Sequence, residues 1–121
     1  MREQKNSDTG RVETVSVEGA PHIRLLGDCD IDTAPTIQEH VQALLDRGSR
    51  RIIFDLEHVT FLDSSVLRIF LEARQNVRPT GEVILLCRPG FVRRLLNLLE
   101  LDKVLRIRTP EEWRAQVAGV H

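Results

Sequence analysis

The sequence predicts an α/β fold: a single small domain with a mixed, mostly parallel β-sheet, an N-terminal hairpin strand and about four helices. Short apolar runs typical of buried strands alternate with segments whose apolar residues recur at helical spacing. Strands separated by helices form right-handed crossovers, which make them parallel in one sheet. The length of 121 residues suits one domain with its own core.

The opening hairpin is predicted after a polar segment, residues 1–10, which we expect to be a flexible arm. Residues 12–17 place valines among polar residues, and residues 22–26 form a second short apolar run. Between them, residues 18–21 (Glu-Gly-Ala-Pro) have the composition of a turn. The folded domain is therefore predicted to span residues 11–121.

The first helix is predicted to begin at Asp32 or Thr33, with Pro35 in its first turn, and to end at Gly48. Its apolar face consists of Ile37, Val41, Leu44 and Leu45. Residues 51–56 are too few for a helix and rich in β-branched side chains, which favours a buried strand.

The second half of the chain repeats this alternation. A helix is predicted to begin around residues 63–65 and to stop at residues 78–81, followed by a strand over 83–87. A third helix follows Pro89-Gly90, and we expect its wide apolar surface to pack mainly in the core. The apolar residues of that helix are Phe91, Val92, Leu95, Leu96, Leu98 and Leu99.

The last strand is predicted over residues 104–107. Thr109, Pro110 and the acidic residues Glu111 and Glu112 then have the order of a helix start.

Composition and motifs argue against several functions. A net charge of −1 gives no basic footprint for nucleic acid. The glycines form no phosphate-binding loop, no G-x-S-x-G motif occurs, and the histidines lack metal-ligand spacing. We therefore expect no enzyme activity, no cofactor and no metal. Cys87 is expected to be buried in its strand, and Cys29 to lie in an exposed turn.

The expected location is the cytoplasm. The first ten residues lack the apolar region of a signal peptide. The longest apolar run, residues 83–87, is far short of the roughly 20 residues that a membrane span needs. Direct membrane insertion is therefore not expected.

The most informative stretch is Asp63-Ser64-Ser65, where a strand gives way to a helix. One interpretation is a helix N-cap, in which the side chain accepts a hydrogen bond from a free backbone amide. The other is a phosphorylated serine, because a helix N-terminus accommodates negative charge. Spacing alone favours the cap.

Three segments resemble the STAS domain (sulfate transporter and anti-sigma factor antagonist), especially the stand-alone bacterial anti-sigma factor antagonists. Residues 27–30 (Gly-Asp-Cys-Asp), followed by Thr33-Ala34, are similar to a family turn. The strand 53–56 leading into 61–65 (Phe-Leu-Asp-Ser-Ser) is similar to the family D-S-S-G element, and residues 89–96 also agree. The resemblance extends from about Val12 to Val117.

This resemblance implies a regulatory switch. Family members bind a serine-kinase anti-sigma factor until the kinase phosphorylates the second serine of the D-S-S element, and a phosphatase reverses the modification. Transferred to this chain, Ser65 is the predicted phosphoacceptor, and Ser64 is the less favoured one. The predicted partner-binding residues are Asp30, Asp63, Ser64, Ser65 and Val66.

Two positions depart from the family pattern. Val66 replaces the usual glycine after the serines, and its bulk is expected to affect kinase docking. Glu100 replaces a frequent glycine at the end of the third helix, where we expect only a local effect.

One alternative keeps the fold and changes the role, and another changes the fold. The same domain serves as an accessory subunit of lipid-transport ABC systems or as a scaffold in stress-sensing complexes, without a phosphoswitch. A receiver domain would use Asp55 at a strand end, but it also needs an acidic pair after the first strand and a lysine after the last. Neither is present at the corresponding places.

Overall fold

The structure is a computed structural model that describes residues 9–119. Most of the predicted arm, residues 1–8, lies outside the described residues. The strands are β1 (Arg11–Val17), β2 (Ala20–Cys29), β3 (Arg51–Leu62), β4 (Glu82–Leu86) and β5 (Arg106–Arg108). The helices are α1 (Ala34–Asp46), α2 (Ser64–Val77), α3 (Phe91–Leu98) and α4 (Pro110–Ala118), with a short 3₁₀ turn over Leu101–Lys103.

The five strands form one sheet in the order β1-β2-β3-β4-β5. β1 pairs antiparallel with β2, and each of the other neighbouring pairs is parallel. The predicted fold class, with its antiparallel hairpin strand at one edge and four helices, is therefore confirmed.

Most of the core lies on one face of this sheet. Helices α1, α2 and α3 contribute buried side chains to it, and the strand residues Ile23, Phe54 and Leu85 are fully buried there. The opposite face is covered in part by α4. There Trp113 packs with Ile53, Ile84 and Leu86 in a smaller apolar cluster. Trp113 therefore anchors the terminal helix to the sheet, and the Arg51 guanidinium lies over its ring.

Strands β2 and β3 are longer than the sequence predicts. β2 continues to Cys29, and β3 continues to Leu62, six residues beyond the predicted end. The expectation that Cys29 lies in an exposed turn is wrong, because its side chain is fully buried. In the extension of β3 only Val59 and Leu62 are buried, so no continuous apolar run marks this part of the strand.

The third helix is less buried than expected. Val92 and Leu96 are buried, but Phe91, Leu98 and Leu99 are exposed by about half or more. The prediction that this apolar surface is mainly core is therefore wrong: the eight-residue helix directs only one narrow stripe to the sheet.

Glu100, which ends α3, has φ 60° in the left-handed region. That backbone conformation suits glycine better than other residues, which gives a physical reason for the glycine expected at this position from the family resemblance.

Asp55 has a structural role in the middle of β3. It is buried, its Oδ2 atom lies 3.3 Å from Arg24 Nε, and its Oδ1 atom accepts a hydrogen bond from the Glu57 amide at 3.0 Å. A receiver domain needs this carboxylate at the end of a strand, whereas β3 continues for seven residues beyond it.

Candidate functional site

The candidate site lies at the edge of the sheet where the parallel strands β2 and β3 end. Cys29 and Leu62, the last residues of these strands, are paired neighbours, so the two following loops start side by side. The Asp63 amide donates a hydrogen bond to the Cys29 carbonyl at 3.3 Å and ties the loops together. The sheet therefore brings Asp30 and the Asp63-Ser64-Ser65 segment together at one end of the sheet, which we call the loop edge.

Asp63 is the N-cap of α2. It has an extended backbone, and its Oδ1 atom accepts a hydrogen bond from the Ser65 amide at 3.0 Å. The Ser65 hydroxyl also donates to this oxygen. The N-cap interpretation of the segment is therefore confirmed, and the cap itself holds the Ser65 side chain against a carboxylate.

The two serines differ in their surroundings. Ser64 is exposed, whereas Ser65 is half-buried and engaged with Asp63. The predicted phosphoacceptor is therefore the serine whose hydroxyl has a carboxylate partner. A change at its oxygen would remove the contact between the Ser65 hydroxyl and the Asp63 carboxylate.

Asp30 organises the neighbouring loop. Its Oδ1 atom accepts hydrogen bonds from the Asp32 amide at 3.0 Å and from the Thr33 hydroxyl at 3.4 Å. Its carbonyl accepts from the Thr33 and Ala34 amides. These bonds fix the start of α1, and Thr33 at the N-cap position forms no side-chain capping bond of its own.

Val66 differs from the other predicted partner-binding residues. Its side chain is fully buried in the main core. Valine therefore adds no bulk to the surface beside the serines, contrary to the expectation from the sequence. Its position on the buried face of α2 accounts for that: Val66, Phe70, Ala73 and Val77 recur at helical spacing.

The edge carries a concentration of negative charge. Burial is the main cause that opposes ionisation of the Cys29 thiol, and the nearby carboxylates of Asp30, Asp28 and Asp63 add to it. Together these effects raise the pKa of Cys29 to about 11. Cys29 is therefore a protonated, buried thiol rather than a reactive nucleophile.

Two apolar residues of this edge were missed by the sequence analysis. Ile31 is 68% exposed in the loop after β2, and Phe61 is 42% exposed near the end of β3. Phe61 pairs in register with Asp28. The only sequence signal was that Phe61 lies close to Asp63, and the sequence alone did not show that its side chain faces solvent.

Two features are absent from residues 9–119. No cluster of three or more His, Cys, Asp or Glu side chains suits a metal ion there. No helix in that range has both the length and the apolar character needed to cross a bilayer. The arrangement of the edge suits recognition of another molecule through a mixed acidic and apolar surface.

Replacing Asp63 with alanine should lower the free energy of unfolding by about 1 kcal/mol, because α2 would lose its capping acceptor. Asp63→Asn, which keeps an acceptor oxygen, should stay close to the parent protein. Urea unfolding monitored by circular dichroism compares the two. An equal loss in both variants would mean that the carboxylate charge, rather than the cap, stabilises the helix.

Comparison with known proteins identifies the family. A sequence model of the STAS domain matches residues 11–112. The "Anti-sigma-F factor antagonist RsfB" of Mycobacterium tuberculosis is 24% identical over 100 residues, which cover 83% of this chain and 82% of that protein. The "Anti-sigma-B factor antagonist" of Staphylococcus aureus is 23% identical over 97 residues, covering 79% and 90%.

Solved structures show the same fold. An anti-sigma factor antagonist from Mycobacterium paratuberculosis superposes with a TM-score of 0.79 at 23% identity, covering 95% of this chain and 97% of that one. The antagonist SpoIIAA in its unphosphorylated form gives 0.74 at 24% identity, covering 92% and 99%. The family match spans most of the chain, and the strand order and helices agree with it: the protein belongs to the STAS domain family.

Proposed function

We propose that this protein is an anti-sigma factor antagonist, which binds a serine-kinase anti-sigma factor through the loop edge and releases it when Ser65 is phosphorylated. The relatives named above support the antagonist role. The observation that supports the switch is the contact between the Ser65 hydroxyl and the Asp63 carboxylate at the start of α2. The function is binding rather than catalysis.

The unphosphorylated edge suits a protein interface. The Ser65 hydroxyl and amide both have a partner in Asp63, so a binding protein can cover them without leaving an unpaired polar group. Ile31 and Phe61 supply apolar contact area beside them. The complementary surface on the kinase is expected to combine apolar and basic side chains, because the edge itself contributes Asp30 and Asp63.

Phosphorylation of Ser65 makes the edge unfavourable for burial against a partner. The phosphoryl group replaces the hydroxyl hydrogen, so Ser65 can no longer donate to Asp63, and about −1.5 to −2 charges appear against a carboxylate. Two like charges 4 Å apart near a protein surface repel by about 4 kcal/mol. The N-terminus of α2 offsets only about 1 kcal/mol. Repulsion therefore dominates, and the loop must rearrange or remain solvated, which disfavours the complex. A phosphatase would restore it.

Binding to the host's serine-kinase anti-sigma factors tests the proposal. Ser65→Asp should weaken the complex by about 100-fold or more, which corresponds to roughly 2.7 kcal/mol. Ser65→Ala should bind within about threefold of the parent, because it adds no charge. Isothermal titration calorimetry with each purified kinase provides the affinities.

Ser16→Asp is the matched control. Ser16 is exposed on β1, outside the loop edge, so the same added charge should leave binding unchanged. If Ser65→Asp binds as tightly as Ser65→Ala, the switch is absent. If the parent binds none of the kinases, the antagonist role itself fails, and an accessory-subunit or scaffold role takes its place.

A further inference from the structure

The face of the sheet away from the main core holds a cleft that the loop edge does not include. It lies between the β1–β2 hairpin and α4 and has a volume of about 210 Å³. For comparison, a cavity of about 150 Å³ in a protein core accommodates benzene. The apolar part of its wall is formed by Val17, Ala20, Leu86, Pro110, Trp113 and Val117.

His22 in the wall of this cleft is a buried polar group without a partner. Its side chain lines the cleft and is 3% exposed, yet it forms no hydrogen bond or ion pair with any residue in the 9–119 range. Buried polar groups are nearly always hydrogen-bonded, so an unpaired imidazole indicates that something else completes the site. Burial lowers the pKa of His22, so the ring is neutral near pH 7 and offers one N–H donor.

The remaining polar groups of the cleft favour an anion. The carboxylate of Asp55 is occupied by Arg24 Nε and by the Glu57 amide, and Glu57 accepts from Arg88 Nε at 3.1 Å. Arg24 contacts Asp55 through Nε and Glu13 through Nη1, two contacts for a guanidinium that has five N–H donors, and Arg114 has no ion pair with any residue from 9 to 119. Arg24, Arg114 and His22 can therefore offer donors to an anion in the cleft.

Glu18 is the carboxylate of the lining that has no such partner within residues 9–119, but it is exposed at the hairpin turn. Because Glu18 is exposed, water screens its charge more strongly than it screens the buried groups of the lining.

We propose that this cleft binds a small organic carboxylate with a flat or short apolar body. The carboxylate accepts hydrogen bonds from Arg24 and His22, and the apolar body packs against Trp113. This site is independent of the proposed partner surface, since it lies on the other face of the sheet from the main core and uses none of the residues of the loop edge.

The chain provides its own reporter for this site, because Trp113 is its sole tryptophan and forms part of the wall. Sodium benzoate is the probe, and benzylamine of nearly the same shape is the charge control. Benzoate should change Trp113 fluorescence saturably in the millimolar range or below and should shift the His22 ring signals in NMR spectra. Benzylamine should do neither.

Two variants locate the binding. His22→Leu should weaken benzoate at least tenfold, whereas His58→Gln, which changes an exposed histidine on β3, should not affect it. Val117→Phe narrows the cleft from the exposed side of α4 and should also abolish the response, without placing a new residue in the core.

Several outcomes would overturn the proposal. The absence of a saturable response to benzoate would mean that water alone is the hydrogen-bond partner of the His22 ring. An equal response to benzylamine would refute the selectivity for an anion. An unchanged affinity in both His22→Leu and Val117→Phe would place the probe elsewhere. None of these results depends on whether an anti-sigma factor binds at the loop edge.

Discussion

Replacing Phe70 with alanine should lower the free energy of unfolding by about 3–5 kcal/mol. The Phe70 side chain is fully buried on α2, and its ring lies 4.6 Å from that of Phe54 on β3, tilted by 50°. The substitution removes the buried ring and its aromatic contact and leaves a cavity between helix and sheet. Because a domain of this kind is stable by only about 5–15 kcal/mol, this is a large fraction of the total.

Urea unfolding of Phe70→Ala, followed by circular dichroism, measures this loss. Leu71→Ala is the matched control, because Leu71 is the next residue on the same helix and is 37% exposed. Its truncation should cost about 1 kcal/mol or less. A loss below about 1 kcal/mol for Phe70→Ala would mean that α2 does not pack on β3 as described.

Replacing Asp55 with alanine should lower the free energy of unfolding by about 2–3 kcal/mol. Breaking a buried ion pair by removing one partner costs about 3–5 kcal/mol, but the Arg24 side chain is one-third exposed, so water recovers part of the loss. The substitution also leaves the Glu57 amide without its acceptor. Arg24 would retain only the looser contact with Glu13 at 3.6 Å.

Glu82→Ala is the control for this prediction. Glu82 pairs with Arg51 and Arg106 at more exposed positions, and such surface pairs contribute about 1 kcal/mol or less. Thermal unfolding of both variants at neutral pH provides the comparison. If the two substitutions destabilised the protein equally, the contact of Asp55 with Arg24 would behave as a surface ion pair and not as a buried one.

The sequence predicts the order and type of the elements because local signals agree with the tertiary structure. Helix α4 shows this clearly: it begins after Thr109 as predicted, and the structure adds that Thr109 accepts from the Glu112 amide while Glu112 accepts from the Thr109 amide. The start of α2 at Asp63 is equally local, since the capping acceptor lies two residues from its donor.

What the sequence does not predict depends on neighbours that are remote along the chain. β3 extends to Leu62 because its second half pairs with the end of β2, and such pairing leaves little trace in a segment with few buried residues. Burial of Cys29 and exposure of Phe61 follow from the same pairing. The exposure of Phe91 and Leu98 on α3 has a similar origin, since the sequence pattern of an apolar helix face is the same whether or not another element covers that face.

The candidate site was predicted by residue, but its geometry was not. The motif drew attention to Asp63 and both serines, and the structure adds that the Ser65 hydroxyl donates to Asp63 while Ser64 is exposed. The predicted surface role of Val66 could not be assessed from the motif, because only the helical phase of α2 shows that its side chain points into the core.

Phosphorylation of Ser65 can be measured by intact mass spectrometry with site mapping, after incubation of the protein with ATP and each serine-kinase anti-sigma factor of its host. We expect one added phosphate on Ser65 and none on Ser65→Ala. A kinase that forms a stable complex yet adds no phosphate, or that modifies the exposed Ser64 instead, would contradict the proposed switch.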